Sequence, residues 1–223
     1  MLNMFEIFDP STKWFSMNWM SSMLIIMFLP NIYWMTKFRM LFLYNYMMNI
    51  LINEMMIILK NKFNMNNMLF LMVLFMFIMF NNLMGLFPYI FTSTSHLILS
   101  MFFSMSMWFG LMLFSWIKNM NFMFIHLTPL GTPFMLMFFM VLIEFLSNMI
   151  RPLTLGIRLV ANMIAGHLLL TLLAMFIPNL IMMYMIIFLL QLMLLTLEIM
   201  VSLIQSYVFM ILTMLYLKET SYE

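Results

Sequence analysis

The sequence predicts an all-α integral membrane protein: three ordinary spans, one interfacial amphipathic helix, and a C-terminal hairpin of two long, steeply inclined membrane helices. Three observations predict it. Of 223 residues, 66% are hydrophobic and only 7% are charged, whereas soluble domains carry roughly 25% charged residues. The mean hydropathy is +1.10. Apolar stretches of the length that crosses the hydrocarbon, about 20 residues, recur along the chain. The same numbers exclude soluble enzymes. A formal charge of +2 leaves no basic face to neutralise phosphates, so nucleic acid is not a partner. The chain has no cysteine, which removes disulfides, thiolate metal sites and iron–sulfur clusters.

The first span lies between Lys13 and Lys37, with Pro30 as a kink. Glu6 and Asp9 stand where a cleavable signal would carry basic residues, so no such signal is expected. From Phe38 to Lys62, Asn45, Asn49, Asn53 and Lys60 share one helical face and most of the rest is Met, Leu and Ile. That pattern suits a helix lying in the membrane interface. A second span follows Asn66-Asn67 and stops at Gly85-Leu86-Phe87-Pro88-Tyr89. Thr92–Ser95 is a turn, with Ser95 as N-cap of a third span from His96 to Lys118. These elements divide the chain into an N-terminal region 1–65, two spans in 66–118, and a hairpin in 119–223.

The hairpin follows from length. Forty-four residues separate Pro133 from Pro178, and 39 more run from Asn179 to Leu217 without Gly or Pro. At about 1.5 Å per residue, such helices reach about 66 and 58 Å. The hydrocarbon is only about 30 Å thick, and tilts up to about 40° cannot absorb the excess. Pro152 and Gly156 offer a break in the first helix, but the second has none, so two inclined helices turning at Pro178-Asn179 are expected. Lys37, Arg39, Lys60, Lys62 and Lys118 then share one side, as basic residues do on the inner face.

Composition also speaks of the gene. Methionine occurs 37 times, while alanine is confined to Ala161, Ala165 and Ala174. Met in place of Ile or Val is what a mitochondrial code, reading ATA as Met, would give. Lys118 and the C-terminus then face the matrix, and the N-terminus faces the intermembrane space.

Between Asn119 and Leu217 only Glu144, Arg151, Arg158 and Glu198 are charged. A charge in hydrocarbon costs at least about 2.5–3.5 kcal/mol, so those retained usually face cavities, partners or ion paths. Glu144 and Arg151 share a helical face, and mutual neutralisation is an equal reading for that pair. Arg158 has no acid within a turn or two. At about 100° per residue, Arg158, Asn162 and Ala165 form a stripe, and His167 faces the opposite way. In the last helix Gln191, Glu198 and Gln205 repeat every seven residues. One antiparallel register sets Arg158 beside Gln205 and His167 beside Glu198, and places Glu144 near Glu219 at the far end. Titratable groups thus lie on both sides of a permanent cation, which cannot relay protons but favours the ionised form of a carboxylate beside it.

The block Arg158-Leu-Val-Ala-Asn162-Met-Ile-Ala-Gly166-His167 resembles the signature of subunit a of rotary F-type ATP synthases in their mitochondrial form. Supporting matches are Asn82-Leu-Met-Gly-Leu-Phe-Pro88, Pro129-Leu-Gly-Thr-Pro133, Ile143-Glu144, Arg151-Pro152-Leu and Leu197-Glu198-Ile. Leu130 departs from the polar residue of some relatives, so that loop is given no proton-handling role. The resemblance implies a stator subunit of the F0 sector, set in the mitochondrial inner membrane against a rotating ring of c subunits. Arg158 would match the essential arginine, His167 and Glu198 the intermembrane-space half-channel, and Glu144 the matrix half-channel. Asn162 and Gln205 would match polar residues near the arginine, with Glu219 added from the register. Other stator subunits and the lipid bilayer are implied partners, protons the cargo, and no cofactor or metal is implied. The chain has no phosphate-binding loop, so nucleotide chemistry would occur elsewhere in the complex.

Three other readings fit less well. A secondary or antiporter-like transporter predicts broken helices and an internal repeat. A haem or quinone subunit wants facing histidine pairs, which His96, His126 and His167 do not supply. A structural anchor has no use for Arg158.

Overall fold

The computed structural model describes residues 4–12, 15–23, 38–59, 65–87, 89–118, 120–128, 131, 133–176 and 184–220. The chain is all-helical, with no strand among the described residues. Among the described residues, six α-helices follow two short 3-10 helices: α1 Arg39–Ile58, α2 Met65–Gly85, α3 Leu97–Lys118, α4 Met120–Leu127, α5 Phe134–Phe176 and α6 Tyr184–Thr220. Five of them, all but α4, are long and apolar enough to cross a membrane. Most of the expected first span, the turn at Pro178-Asn179 and the Leu130 position lie outside the described residues. Within that first span, Met17–Met23 is a 3-10 helix and not α-helix.

Helix α2 is the central post. It is the most buried of the candidate spans, and Leu71 and Ile78 are both 1% exposed, while Leu69, Phe70 and Val73 face outward. On one side it packs with α1 and the C-terminal part of α6, through Met55, Leu59, Phe75, Met210 and Met214. On another it meets α5 and α6 through Leu74, Ile78, Leu155, Leu159 and Phe209. The final turn tightens, with Leu86 N donating to Leu83 O and Phe87 N to Met84 O at 3.2 Å each.

The cap expected at Ser95 is not formed. Its hydroxyl turns back and donates to the Thr92 carbonyl at 2.6 Å. A 3-10 turn, Ser93–Ser95, intervenes. Helix α3 starts two residues later, where Ser100 N donates to His96 O. The turn Thr92–Ser95 is buried, and the carbonyl three residues back offers the Ser95 hydroxyl a local acceptor in place of the cap.

Helix α5 runs unbroken for 43 residues through Pro152, and α6 for 37. Their lengths are about 64 and 56 Å at about 1.5 Å per residue. An interior proline costs a helix roughly 3 kcal/mol. Packing holds it here: Pro152 is buried, and it lines a small gap with Trp108, Leu155 and Phe209. Helix α3 crosses α5 closely at Gly156, where an added methyl would stand 2.7 Å from Ser104 Oγ. Ser100, Ser104, Ser202 and Ser206 each donate to the carbonyl three residues back. Hydroxyls satisfied within their own helix can lie at apolar crossings without an outside partner.

Candidate functional site

Helices α5 and α6 present the polar residues that the sequence singled out. Their antiparallel register is fixed by three contacts. Arg151 Nη1 meets Glu219 Oε2 at 3.0 Å. Asn162 Nδ2 donates to Gln205 Oε1 at 3.0 Å. A methyl on Gly166 would stand 2.9 Å from the Glu198 carboxyl carbon. The close approach at Gly166 is possible because glycine has no side chain there.

His167 and Glu198 do come to one place. Both line a cavity of about 180 Å3 with Asn82, Asn162, Ser202 and Gln205. They make no hydrogen bond to each other: His167 Nε2 and both Glu198 oxygens are buried without a partner. A buried polar atom left without a partner costs about 1–3 kcal/mol. Water in the cavity would remove that penalty, since a water needs only about 10–15 Å3. The Phe8 ring stands edge-on to His167, with centroids 6.3 Å apart.

A second, separate cavity of about 40 Å3 lies toward the other end of the hairpin, lined by Trp108, Asn148, Arg151, Tyr216 and Glu219. It shares no lining residue with the first. Arg151 also lies over the Tyr216 ring, 5.5 Å from its centroid. Here one open reading is decided and one expectation is corrected. Arg151 pairs with Glu219 and not with Glu144. Glu144 lies two turns before Arg151 on α5, so it is Arg151, not Glu144, that the register brings to Glu219. Glu144 is half-buried, and its carboxylate has no hydrogen-bond or ion-pair partner among the described residues.

Arg158 stands between the two levels and lines neither cavity. It is exposed and makes no hydrogen bond or ion pair among the described residues. Gln205 accepts a hydrogen bond from Asn162, one turn further along α5 than Arg158. The expected stripe therefore splits. Arg158, Ala161 and Ala165 are exposed, whereas Asn162 turns toward α6. Small residues around an outward cation leave room for another helix to approach it.

Two features escaped the sequence. Tyr207 OH donates to Glu54 Oε2 at 2.9 Å, joining α1 to α6. Asn82 lies in the first cavity, 1% exposed, with neither its amide nitrogen nor its oxygen partnered. An Asn-Asn pair inside an otherwise apolar span was the available signal.

Comparison with known proteins points one way. The profile of the ATP synthase A chain family matches residues 14–218. The ATP synthase subunit a of Locusta migratoria is 51% identical over 176 residues, covering 78% of each chain. That of Apis mellifera ligustica is 47% identical over 178 residues, covering 79% of this chain and 78% of its own. The ATP synthase F(0) complex subunit a of Rhopalosiphum padi is 46% identical over 173 residues, covering 77% and 80%. With a profile spanning nearly the whole chain, and relatives about half identical over more than three quarters of it, this chain belongs to the ATP synthase A chain family.

Proposed function

We propose that this chain is the stator proton-channel subunit of the F0 sector of a mitochondrial ATP synthase. It rests in the inner membrane against a rotating ring of c subunits, beside other stator subunits, with its N-terminus toward the intermembrane space and its C-terminus toward the matrix. Helix α1 lies along the matrix interface. The observation that carries the reading is the pair of cavities with no shared wall, separated along the hairpin by an exposed, unpartnered Arg158.

Protons enter the larger cavity from the intermembrane space and pass by His167 and Glu198 to a carboxylate on the ring. Asn162 and Gln205, hydrogen-bonded to each other, close the inner end of that cavity. Once neutral, the ring site turns into lipid without the penalty of at least about 2.5–3.5 kcal/mol that a bare charge would meet. On return it meets the matrix half-channel, where Glu144 and Glu219 accept the proton. Arg158 holds the passing carboxylate ionised and, because it keeps its own proton, blocks transfer between the two half-channels. Each charge moved gains about 2.3 kcal/mol per 100 mV of membrane potential. The chain carries no catalysis of its own; it turns proton flow into rotation.

Glu198→Gln in the assembled complex tests this reading. It keeps the side chain's shape and removes its titration. Proton-driven ATP synthesis should fall to a small residue, with the complex still assembled. Synthesis at the unaltered rate would reject the inlet.

A further inference from the structure

Beyond the inlet cavity itself, the buried polar atoms without a partner are not spread evenly. Among the described residues they include Asn81 Nδ2, both polar atoms of the Asn82 side chain, Thr94 Oγ1 and His96 Nε2, besides those of His167 and Glu198. None belongs to a residue lining the second cavity. Asn81 and Asn82 stand at the C-terminal end of α2, and Thr94 and His96 in the turn that follows. Asn82 opens into the cavity of His167 and Glu198. The turn reaches the same wall. An added methyl on Gly85 would lie 3.1 Å from Thr92 Cγ2 and 3.0 Å from Met163 Cε, and Met163 lines that cavity.

At its other end the turn is covered by aromatic rings. His96 lies 5.1 Å from the Trp19 ring and 5.1 Å from the Phe91 ring, centroid to centroid. Trp19 and Phe91 meet edge-on at 5.6 Å. Ser21 Oγ donates to Phe91 O at 2.9 Å, tying the N-terminal 3-10 helix over the turn. Unpartnered polar atoms in a dry core would each cost about 1–3 kcal/mol. A run of them beside a cavity wide enough for several waters is the wall of a wet space.

We propose that water reaches the His167–Glu198 cavity from the side, through a hydrated vestibule walled by Asn81, Asn82, Thr94 and His96, with Trp19 and Phe91 as its outer cover. The proposal rests on reading that cavity as the proton inlet. The vestibule supplies protons to the inlet through its water, and its polar side chains hold that water in place.

This chain has no cysteine of its own, so each introduced thiol is the only one it carries; the complex without an introduced thiol serves as the background control. Single Thr94→Cys, His96→Cys, His167→Cys and Ile78→Cys variants are treated, in assembled complex in inner-membrane vesicles, with methanethiosulfonate ethylammonium from the intermembrane-space side. Thr94→Cys and His96→Cys should react at rates comparable with His167→Cys, while Ile78→Cys, 1% exposed in the apolar core, should not react. Reaction at Thr94→Cys should remove most proton-driven synthesis, and adding Trp19→Ala should speed reaction at His96→Cys. Reaction at His167→Cys with none at Thr94→Cys and His96→Cys overturns the vestibule and leaves the inlet standing. Silence at His167→Cys as well overturns both. Reaction at Thr94→Cys without loss of synthesis overturns the vestibule as a proton route. A second pair needs no labelling: Thr94→Val should slow proton flux and Thr94→Ser should keep it. Equal flux in the two contradicts the proposal.

Discussion

Gly166 and Glu198 touch: a methyl group on the glycine would stand 2.9 Å from both the carboxyl carbon and Oε1 of the glutamate. The bare backbone of α5 is therefore part of how Glu198 is aimed into its cavity. Gly166→Ala should push the carboxyl aside. Overpacking of this kind costs about 1–3 kcal/mol, which the complex should survive. Coupled ATP synthesis should drop several-fold at normal complex content, read by native gel and synthesis rate on the same membranes. An unchanged rate would show that this contact does not set the carboxyl position.

Gly156 plays a packing role where α3 crosses α5. A methyl there meets Ser104 Oγ at 2.7 Å and Met101 Sδ at 2.8 Å. Gly156→Leu should reduce assembled complex sharply, while Gly156→Ala combined with Ser104→Gly should recover much of the loss. The quantity to measure is the thermal stability of the complex in detergent. Equal stability of Gly156→Ala with and without Ser104→Gly would contradict the close crossing.

The Arg151–Glu219 pair is a matter of function more than stability. Its side chains are 36% and 48% exposed, and pairs so solvated contribute about 0–1 kcal/mol. A double-mutant cycle of Arg151→Gln and Glu219→Gln on complex stability should give a coupling energy inside that range. Each single variant should slow proton release toward the matrix, seen as slower proton-driven synthesis. A coupling several times larger would mean that the pair holds the hairpin together.

Much of this arrangement was legible in the residues because lipid limits the choices. A chain of this hydropathy must form helices, and Met65–Gly85 and Leu97–Lys118 fall close to where breakers and apolar length placed them. The unbroken length of α6 followed from a run without Gly or Pro, and His167 and Glu198 line one cavity, as an antiparallel placement of the two helices led one to expect. What escaped was local or lateral. Ser95 had two ways to satisfy its hydroxyl, and burial of the turn decided between them. Glu144 and Arg151 share a face, yet Glu219 on another helix took the arginine, which no spacing within α5 reveals. Glu54 follows Asn53 on α1, and its partner Tyr207 lies 153 residues away, beyond the reach of any local pattern. The eight-residue α4 was missed because it is too short to show a helical period.

In the proposed mechanism, the outward guanidinium of Arg158 separates two hydrated half-channels. That separation is tested most directly by Arg158→Gln, with proton flux and ATP synthesis measured together in the same inner-membrane vesicles. The account predicts that synthesis is lost while protons still run passively down their gradient. Coupled synthesis at the normal rate, with no such flux, would contradict it.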